Sequence, residues 1–133
     1  MQRLQVHTAG QQCFEDITDS VQQTVRQSGV QEGICHVFCP HTTAALTLNE
    51  NWDPDVHHDI GLALTGMAPQ RRDFRHSEGN SPAHTKASLM GASQTLFVSQ
   101  GQLVLGTWQG LYLVEFDGPR TRTVLVRIVA TGD

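Results

Sequence analysis

The segment at residues 123–130 is apolar on both faces of a β-strand, and it constrains the fold more than any other part of the sequence. Its side chains alternate between the two faces, with Val124, Val126 and Ile128 on one side and Leu125 and Val129 on the other. Such a strand must be covered on both sides. The segment therefore predicts one sheet packed on another sheet, or on a neighbouring subunit.

Hydrophobic periodicity and turn-forming residues predict about eight strands in all. These strands lie at residues 2–8, 11–16, 33–39, 43–49, 95–99, 102–107, 111–116 and 123–130. The first two meet at Ala9-Gly10, which predicts an opening hairpin. The last four follow one another closely, which predicts that they are antiparallel neighbours.

Three short helices are predicted from capping residues and apolar spacing. The first, at residues 19–28, starts behind Thr18 as its N-cap and stops at Gly29. The second begins at Asp53-Pro54 and the third at Ser81-Pro82, because a capping side chain followed by proline is a typical helix start. The third helix runs through Met90 and ends at Gly91, and the second carries an apolar stripe that we expect to be buried, formed by Val56, Ile60, Leu64 and Met67. Together the elements predict a single α+β domain over residues 1–133.

Charge and composition exclude two classes of partner. The 133 residues carry 9 Lys+Arg against 13 Asp+Glu, a formal net charge of −4, so the broad positive field that duplex nucleic acid requires is missing. No apolar stretch approaches the roughly 20 residues that cross a bilayer, and Met1-Gln2-Arg3 opens an alternating segment rather than a signal peptide. We therefore expect a cytoplasmic protein with no nucleic-acid or membrane partner.

Six of the seven histidines lie between positions 36 and 84, which places the expected chemistry in that part of the chain. His41 follows Pro40 at the break between two predicted strands and is expected at a sheet edge. The alternative is an ordinary strand-end histidine with its hydrogen bonds satisfied. Asp55 and Asp59 lie four residues apart on one side of the second helix, although carboxylates near a helix N-terminus are also favoured by the helix dipole.

The start of the third helix predicts an anion-binding pocket. A helix N-terminus leaves N–H groups unpaired and attracts anions, and here it is flanked by Asn80, Ser81, His84 and Lys86. His76 and His84 are eight residues apart, a spacing that two ligands of one metal ion can have. Three arginines upstream could close over the same anion or form a solvated basic loop, namely Arg71, Arg72 and Arg75.

Many separate blocks of the sequence resemble, in order, the YjbQ-like family, whose members are called secondary thiamine-phosphate synthase enzymes. The resemblance runs from the opening strands to Arg127. It is carried by His41-Thr42-Thr43-Ala44-Ala45-Leu46, Asn49-Glu50-Asn51, Asp53-Pro54-Asp55-Val56, Asp59, His76, Gly79-Asn80, Ala83-His84, Lys86-Ala87-Ser88-Leu89-Met90-Gly91, Gly106-Thr107-Trp108-Gln109 and Glu115-Phe116-Asp117-Gly118-Pro119-Arg120.

The resemblance implies a compact α+β domain with an antiparallel, β-sandwich-like core. It also implies a homotrimer whose sites lie near subunit contacts, and a weak thiamine-phosphate synthase activity. The histidines and acids in the blocks above would then build one metal or phosphate site for a phosphorylated small-molecule substrate.

Joining an aminopyrimidine methyl diphosphate to a thiazole phosphate requires pyrophosphate to leave while the thiazole nitrogen attacks the methylene carbon. A divalent cation and positive groups that stabilise the leaving group are the required parts. Glu50, Asp55 and Asp59 are suitable ligands for Mg²⁺. His41, His76 and His84 suit Zn²⁺, so the divalent metal ion stays undecided between the two.

Three sets of site residues are therefore predicted. The catalytic set is His41, Glu50 and His84. The substrate- and phosphate-binding set is Thr42, Asn80, Ser81, Lys86, Ser88, Trp108 and Arg120. The metal ligands are His41, His76, His84, Asp55 and Asp59. Trp108 could pack in the core instead, and Arg120 and Arg122 could pair with Glu115 or Asp117.

Two other function classes stay open. One is a metal- or anion-binding module without turnover. The other is a thiol-dependent enzyme of unassigned reaction that uses Cys39 beside His41, because a thiolate–imidazole pair would be a reactive nucleophile. The three cysteines, Cys13, Cys35 and Cys39, contain no Cys-x-x-Cys, and structural thiols are the plainer interpretation.

Overall fold

The computed structural model describes residues 1–132, and over these residues it has eight strands and three helices. The predicted α+β class is confirmed. In chain order the elements are β1 (Gln2–His7), β2 (Cys13–Asp16), α1 (Thr18–Ser28), β3 (Gly33–Phe38), β4 (Ala44–Glu50), α2 (Pro54–Met67), α3 (Ser81–Met90), β5 (Ser93–Ser99), β6 (Gln102–Leu103), β7 (Gln109–Glu115) and β8 (Thr121–Ala130).

The strands form two antiparallel sheets that share one core. The first sheet has the order β1-β8-β3-β5-β6, and the second has the order β2-β7-β4. Val37 and Val126 of the first sheet meet Leu46 and Leu113 of the second, and Val21 of α1 joins the same cluster. Two sheets packed face to face in this way bury one face of each sheet.

The other face of the three-stranded sheet is covered by α2 and α3. Tyr112 and Val114 of β7 pack there against Leu64 of α2 and Ala87 of α3. The central strand β7 is therefore buried on both faces, because its alternate residues contact the opposite sheet and the helices.

Only one face of strand β8 is buried by this chain, so cover by a second sheet is found for that face, and cover of the other face by a neighbouring subunit stays a prediction. Val124 and Val126 lie in the core, whereas Leu125 is half-buried and Val129 is 45% exposed. The physical reason is its position in the five-stranded sheet, whose outer face carries no helix or second sheet from the described residues.

The opening hairpin was predicted wrongly. β1 pairs with β8, with Gln2 opposite Val126, and β2 pairs with β7, with Cys13 opposite Glu115. The chain between β1 and β2 therefore passes from one sheet to the other instead of turning back. The same holds for β7 and β8, which are consecutive in sequence but lie in different sheets. The predicted strand at residues 102–107 is reduced to Gln102–Leu103.

The helices lie close to where they were predicted, with different caps at two of the starts. Asp53 caps α2 as expected, since its side chain accepts a hydrogen bond from the N–H of Asp55 at 2.9 Å. The N-cap positions of α1 and α3 are Ile17 and Asn80, each one residue before the predicted cap. Met67 is exposed rather than buried, because Ala68 takes the buried position at the end of α2.

No helix within residues 1–132 is long and apolar enough to cross a bilayer.

Candidate functional site

Two adjoining cavities share the side chains of His41, Thr42 and His84, and we call them together the histidine pocket. The first cavity has a volume of about 530 Å³ and also touches Ser88 of α3. The second has a volume of about 320 Å³ and also touches Asn80, Glu78, Asp117, Arg120 and Arg122.

Three chain segments that are distant in sequence build this pocket. His41 and Thr42 lie in the turn between β3 and β4, and the N–H of Cys39 in that turn is held by the carbonyl of Ala92 at 2.8 Å. Asn80 precedes α3, and His84 projects from the first turns of that helix. Arg120 comes from the connection between β7 and β8. The pocket therefore depends on the packing of α3 against both strand connections.

The hydrogen bonding of His41 determines its neutral tautomer. Its Nε2 accepts the backbone N–H of Thr123 at 2.9 Å, so the ring proton of the neutral form lies on Nδ1. Burial, and then the positive charge of Arg122, lowers the pKa of His41 below its ordinary value of 6.5. At neutral pH this residue consequently offers an N–H donor, not a cation, to a ligand.

A buried ion pair lies against the pocket. Arg122 donates through Nε to Glu115 Oε1 at 2.8 Å, forms a second contact with Glu115 Oε2, and donates to Thr43 Oγ1 at 2.8 Å. Thr8 Oγ1 also donates to Glu115 Oε1 at 2.9 Å. Burial would raise the pKa of Glu115, but the hydrogen bonds from Arg122 and its other partners hold that pKa below its ordinary value.

Arg120 and Asn80 converge on one carboxylate at the pocket. Arg120 pairs with Asp117 Oδ2 at 3.0 Å, and Asn80 Nδ2 donates to the same oxygen at 2.8 Å. The pairing of Arg120 with Asp117 and of Arg122 with Glu115 matches what the sequence suggested. Asn80 Oδ1 is buried and has no hydrogen-bond donor among residues 1–132, which leaves an acceptor for a ligand.

His76 lies beside His84. Their ring centroids are 5.5 Å apart in an edge-to-face arrangement, and Glu78 Oε2 lies 3.8 Å from His76 Nε2. Asp55 and Asp59, the other predicted metal ligands, are exposed on α2, where Asp59 Oδ1 contacts His58 at 3.2 Å. Within residues 1–132 of one copy, no three His, Cys, Asp or Glu side chains are grouped for a metal ion, so one copy offers a pair of imidazoles.

Glu50 and Trp108 lie at the far end of β4 from His41. Seven residues of β4 separate the two ends, a span of about 20 Å at the rise of a β-strand. Glu50 Oε2 accepts the N–H groups of Trp52 and Asp53 at 3.1 and 3.2 Å. Trp108 is exposed and makes an edge contact with Trp52, so it does not belong to the core. The structure does not bring these two residues to the histidine pocket within one copy.

The remaining predicted residues lie on α3 or beside it. Ser88 lines the pocket, whereas Ser81, in the first turn, accepts a hydrogen bond from Thr85 and is not a lining residue. Lys86 comes two residues after His84 on α3, and residues two apart on a helix point in directions about 200° apart. Lys86 therefore points away from the pocket. Its Nζ contacts Gln12 and Thr65 instead.

Cys39 is fully buried at 1% exposure, and burial raises the pKa of its thiol. A protonated, inaccessible thiol is a poor nucleophile. The geometry therefore gives no support to a Cys39–His41 pair, and His41 directs its Nε2 to Thr123.

Two features of the pocket were not predicted from the sequence. One is the buried carboxylate of Glu115, which binds Arg122, and the other is Asn80 Oδ1, an acceptor with no donor among residues 1–132. A charged residue inside an apolar β-strand was the available signal for Glu115, since it stands between Val114 and Phe116.

Comparisons with known proteins agree with this architecture. The family model for UPF0047 protein YjbQ-like matches residues 2–131. A UPF0047 protein of Methanocaldococcus jannaschii is 45% identical over 127 residues, which are 96% of this chain and 92% of that protein. UPF0047 protein YugU of Bacillus subtilis is 44% identical over 97% of this chain and 98% of its own length.

Two crystal structures show the same fold. A YjbQ/UPF0047 family protein of Clostridium acetobutylicum superposes with a TM-score of 0.94 at 51% identity, covering 97% of this chain and all of that one. A YbjQ-like protein of unknown function from Sulfolobus solfataricus superposes with a TM-score of 0.92 at 38% identity, covering 98% of this chain and 96% of that one.

Proposed function

The chain belongs to the YjbQ-like UPF0047 family, and on this premise we propose that it is a small-molecule enzyme of the thiamine-phosphate synthase type, acting in the histidine pocket. The reaction would join hydroxymethylpyrimidine diphosphate to thiazole phosphate. The observation that carries the proposal is the convergence of His41, His84, Asn80 and Arg120, from three segments distant in sequence, on adjoining cavities. A guanidinium, two imidazoles and an amide suit a phosphorylated, nitrogen-containing substrate.

The electron flow in this reaction defines what the pocket must supply. The thiazole nitrogen attacks the methylene carbon, the bond from that carbon to the diphosphate oxygen breaks, and the electron pair leaves with the diphosphate. Negative charge therefore develops on the leaving oxygen. Arg120 and the Nδ1–H of His41 are the groups we assign to stabilise that charge.

His84 acts mainly in the transition state under this proposal. It would either protonate the leaving oxygen or, with His76, hold a divalent metal ion. Two imidazoles and the phosphate oxygens of a substrate are a ligand set that a transition-metal ion accepts, and the charge of such an ion would stabilise the leaving diphosphate. Asn80 Oδ1 would accept a hydrogen bond from the amino group of the pyrimidine.

The test is a thiamine-phosphate synthesis assay with three proteins. His84→Ala should lower kcat about 100-fold with little change in KM, because a general acid or metal ligand acts mostly in the transition state. His58→Ala is the matched control, since His58 is exposed on α2 outside the histidine pocket, and it should leave the rate unchanged. Metal analysis of the purified proteins and the effect of a chelator on the rate test the metal ion.

Equal slow rates in all three proteins would contradict the proposal, because the activity would then not arise in this pocket. Saturable binding of the phosphorylated substrates without turnover would favour the binding-module alternative.

A further inference from the structure

Lys86 is the only lysine in the sequence, and it is 8% exposed. Lysine side chains are almost never buried unless their charge is paired. Lys86 lies on the face of α3 opposite the histidine pocket, and the proposed reaction makes no use of it.

The partners of Lys86 are neutral. Its Nζ donates to Gln12 Oε1 at 2.7 Å and to Thr65 Oγ1 at 3.1 Å. It forms no ion pair with an acidic side chain of residues 1–132. Burial accordingly lowers the pKa of Lys86.

Both partners of Lys86 line a cavity of about 300 Å³ between β2 and α2. This volume is at the lower end of that of small-molecule sites. Gln12 is held at the cavity by a hydrogen bond from Nε2 to the carbonyl of Gly61 at 3.3 Å. A Cβ at position 61 would lie 2.9 Å from Gln12 Nε2, so the glycine permits this approach.

The cavity therefore offers hydrogen-bond donors from Thr65 and Gln12, and the positive charge of Lys86 lies next to both residues. Thr65 Oγ1 accepts from Lys86, which leaves its own O–H proton to donate, and that proton has no acceptor among residues 1–132. The second N–H of Gln12 Nε2 is likewise available beside it. The carboxylates of Glu15 and Asp59, which follow cavity residues in the sequence, have other contacts, since Glu15 accepts from Ala9 and Cys13 and Asp59 contacts His58.

Other residues that line this cavity are apolar or aromatic. The rings of Phe14 and His57 stack at 4.3 Å with an interplanar angle of 1°, and both residues line the cavity. Leu62 of α2 also lines it and is 61% exposed. An exposed leucine beside a flat ring pair is a surface on which a planar ring can pack.

We propose that this cavity is a second ligand site, separate from the histidine pocket, which binds a small planar molecule that carries a phosphate or carboxylate group. The anionic group is bound by Thr65 Oγ1 and Gln12 Nε2, with Lys86 as the positive charge behind them, and the ring lies against Leu62 and the Phe14–His57 pair. The site does not depend on the proposed function, because none of these residues belongs to the histidine pocket.

Phenyl phosphate and inorganic phosphate are suitable probes for this site. Calorimetric titration of the full chain with phenyl phosphate should give saturable binding, at least tenfold tighter than that of inorganic phosphate, because of the ring contact. The Kd for phenyl phosphate should rise about tenfold or more in Thr65→Val and in Lys86→Met, and it should be unchanged in His84→Ala. Since Lys86 is the only lysine, lysine labelled with ¹³C at Cε gives one signal, which should shift with the same Kd.

Circular dichroism of Thr65→Val and Lys86→Met is the check that both variants are folded. Three results would overturn the proposal: no shift of the Lys86 signal with either probe, binding that survives in folded Thr65→Val, or binding that is lost in His84→Ala. Equal affinities for the two probes would overturn the assignment of the planar ring.

Discussion

At the scale of single residues, His41 and Glu115 show how burial and hydrogen bonding set the charges of the histidine pocket. His41 is kept neutral, whereas Glu115 is kept ionised. The difference arises from the partners, because a backbone N–H occupies one nitrogen of His41 while Arg122 donates to both oxygens of Glu115. Each residue leads to a prediction about pH.

His41 is expected to titrate below pH 6.5 with its neutral proton on Nδ1. A histidine whose pKa is lower in the folded state binds fewer protons than in the unfolded chain, so its contribution to stability is present above pH 6.5 and is lost as pH falls through the folded pKa. Long-range ¹H–¹⁵N NMR of the histidine rings measures both the pKa and the tautomer. The exposed ring of His58 serves as the reference signal. A proton on Nε2 at neutral pH would contradict the assignment.

Glu115→Gln is expected to lower the free energy of unfolding by about 3–5 kcal/mol at pH 7, because it leaves the buried Arg122 without its counter-charge. The pKa of Glu115 is held below its ordinary value of 4.5, so the stability that this carboxylate contributes is present above pH 4.5 and is lost as pH falls through the folded pKa. Urea denaturation of wild type and variant between pH 3 and pH 7 measures both effects.

The exposed pair of Arg71 and Asp73 provides the comparison for Glu115. Asp73→Asn should leave the free energy of unfolding almost unchanged, as is usual for surface ion pairs. Similar losses in Asp73→Asn and Glu115→Gln would show that burial does not govern the Glu115 pair.

At the scale of secondary-structure elements, the starts of α2 and α3 differ although their sequences look alike. Asp53 caps α2 through its side chain, whereas the Asn80 side chain makes no capping bond and instead donates to Asp117. The capping rule located both helices, yet the side chain before α3 is used by the pocket. Residues that depart from a local rule in this way are often functional.

Asp53→Ala is expected to lower the free energy of unfolding by about 1 kcal/mol, because the N–H of Asp55 loses its acceptor. Thermal unfolding followed by circular dichroism measures the loss. Asp19→Ala is the control: Asp19 lies in the first turn of α1 and caps no helix. A loss as large in Asp19→Ala as in Asp53→Ala would contradict the capping role.

At the scale of the whole molecule, the outer face of the five-stranded sheet exposes several large apolar side chains. Ile34 lies opposite Phe97 on one neighbouring strand and Val129 on the other. Phe97 is 67% exposed, and Phe38 near the other end of β3 is 47% exposed. Contiguous apolar side chains on a sheet face are typical of a surface that contacts another protein.

We propose that three copies assemble into a homotrimer in which this face is covered. Light scattering of the protein at micromolar concentration should give three times the 14.6 kDa chain mass. Phe97→Lys should shift the protein towards smaller species, because it places a charge in the contact. The surface substitution Arg71→Ala serves as the control and should leave the mass unchanged. A monomer mass for the wild-type protein would contradict the proposal.

The sequence by itself determined the elements, because caps, turn residues and apolar periodicity act over a few neighbouring residues. Asp53-Pro54 and Gly29 located helix ends, and the α+β class followed from the order of strands and helices. The apolar pattern of the sequence also predicted a strand buried on both faces, and this prediction was made for β8. Within this chain, β7 is the strand that is buried on both faces.

Only the tertiary structure decided which strands pair and which polar side chains meet. Pairing of β1 with β8 joins residues more than a hundred positions apart, and no local signal encodes such a contact. The same packing brings His41, His84 and Arg120 to one pocket, but it turns Lys86 to the opposite face of α3 and leaves Glu50 at the far end of β4. The physical reason is that local hydrogen bonds and periodicity specify an element, whereas the arrangement of elements depends on burying all their apolar faces at once.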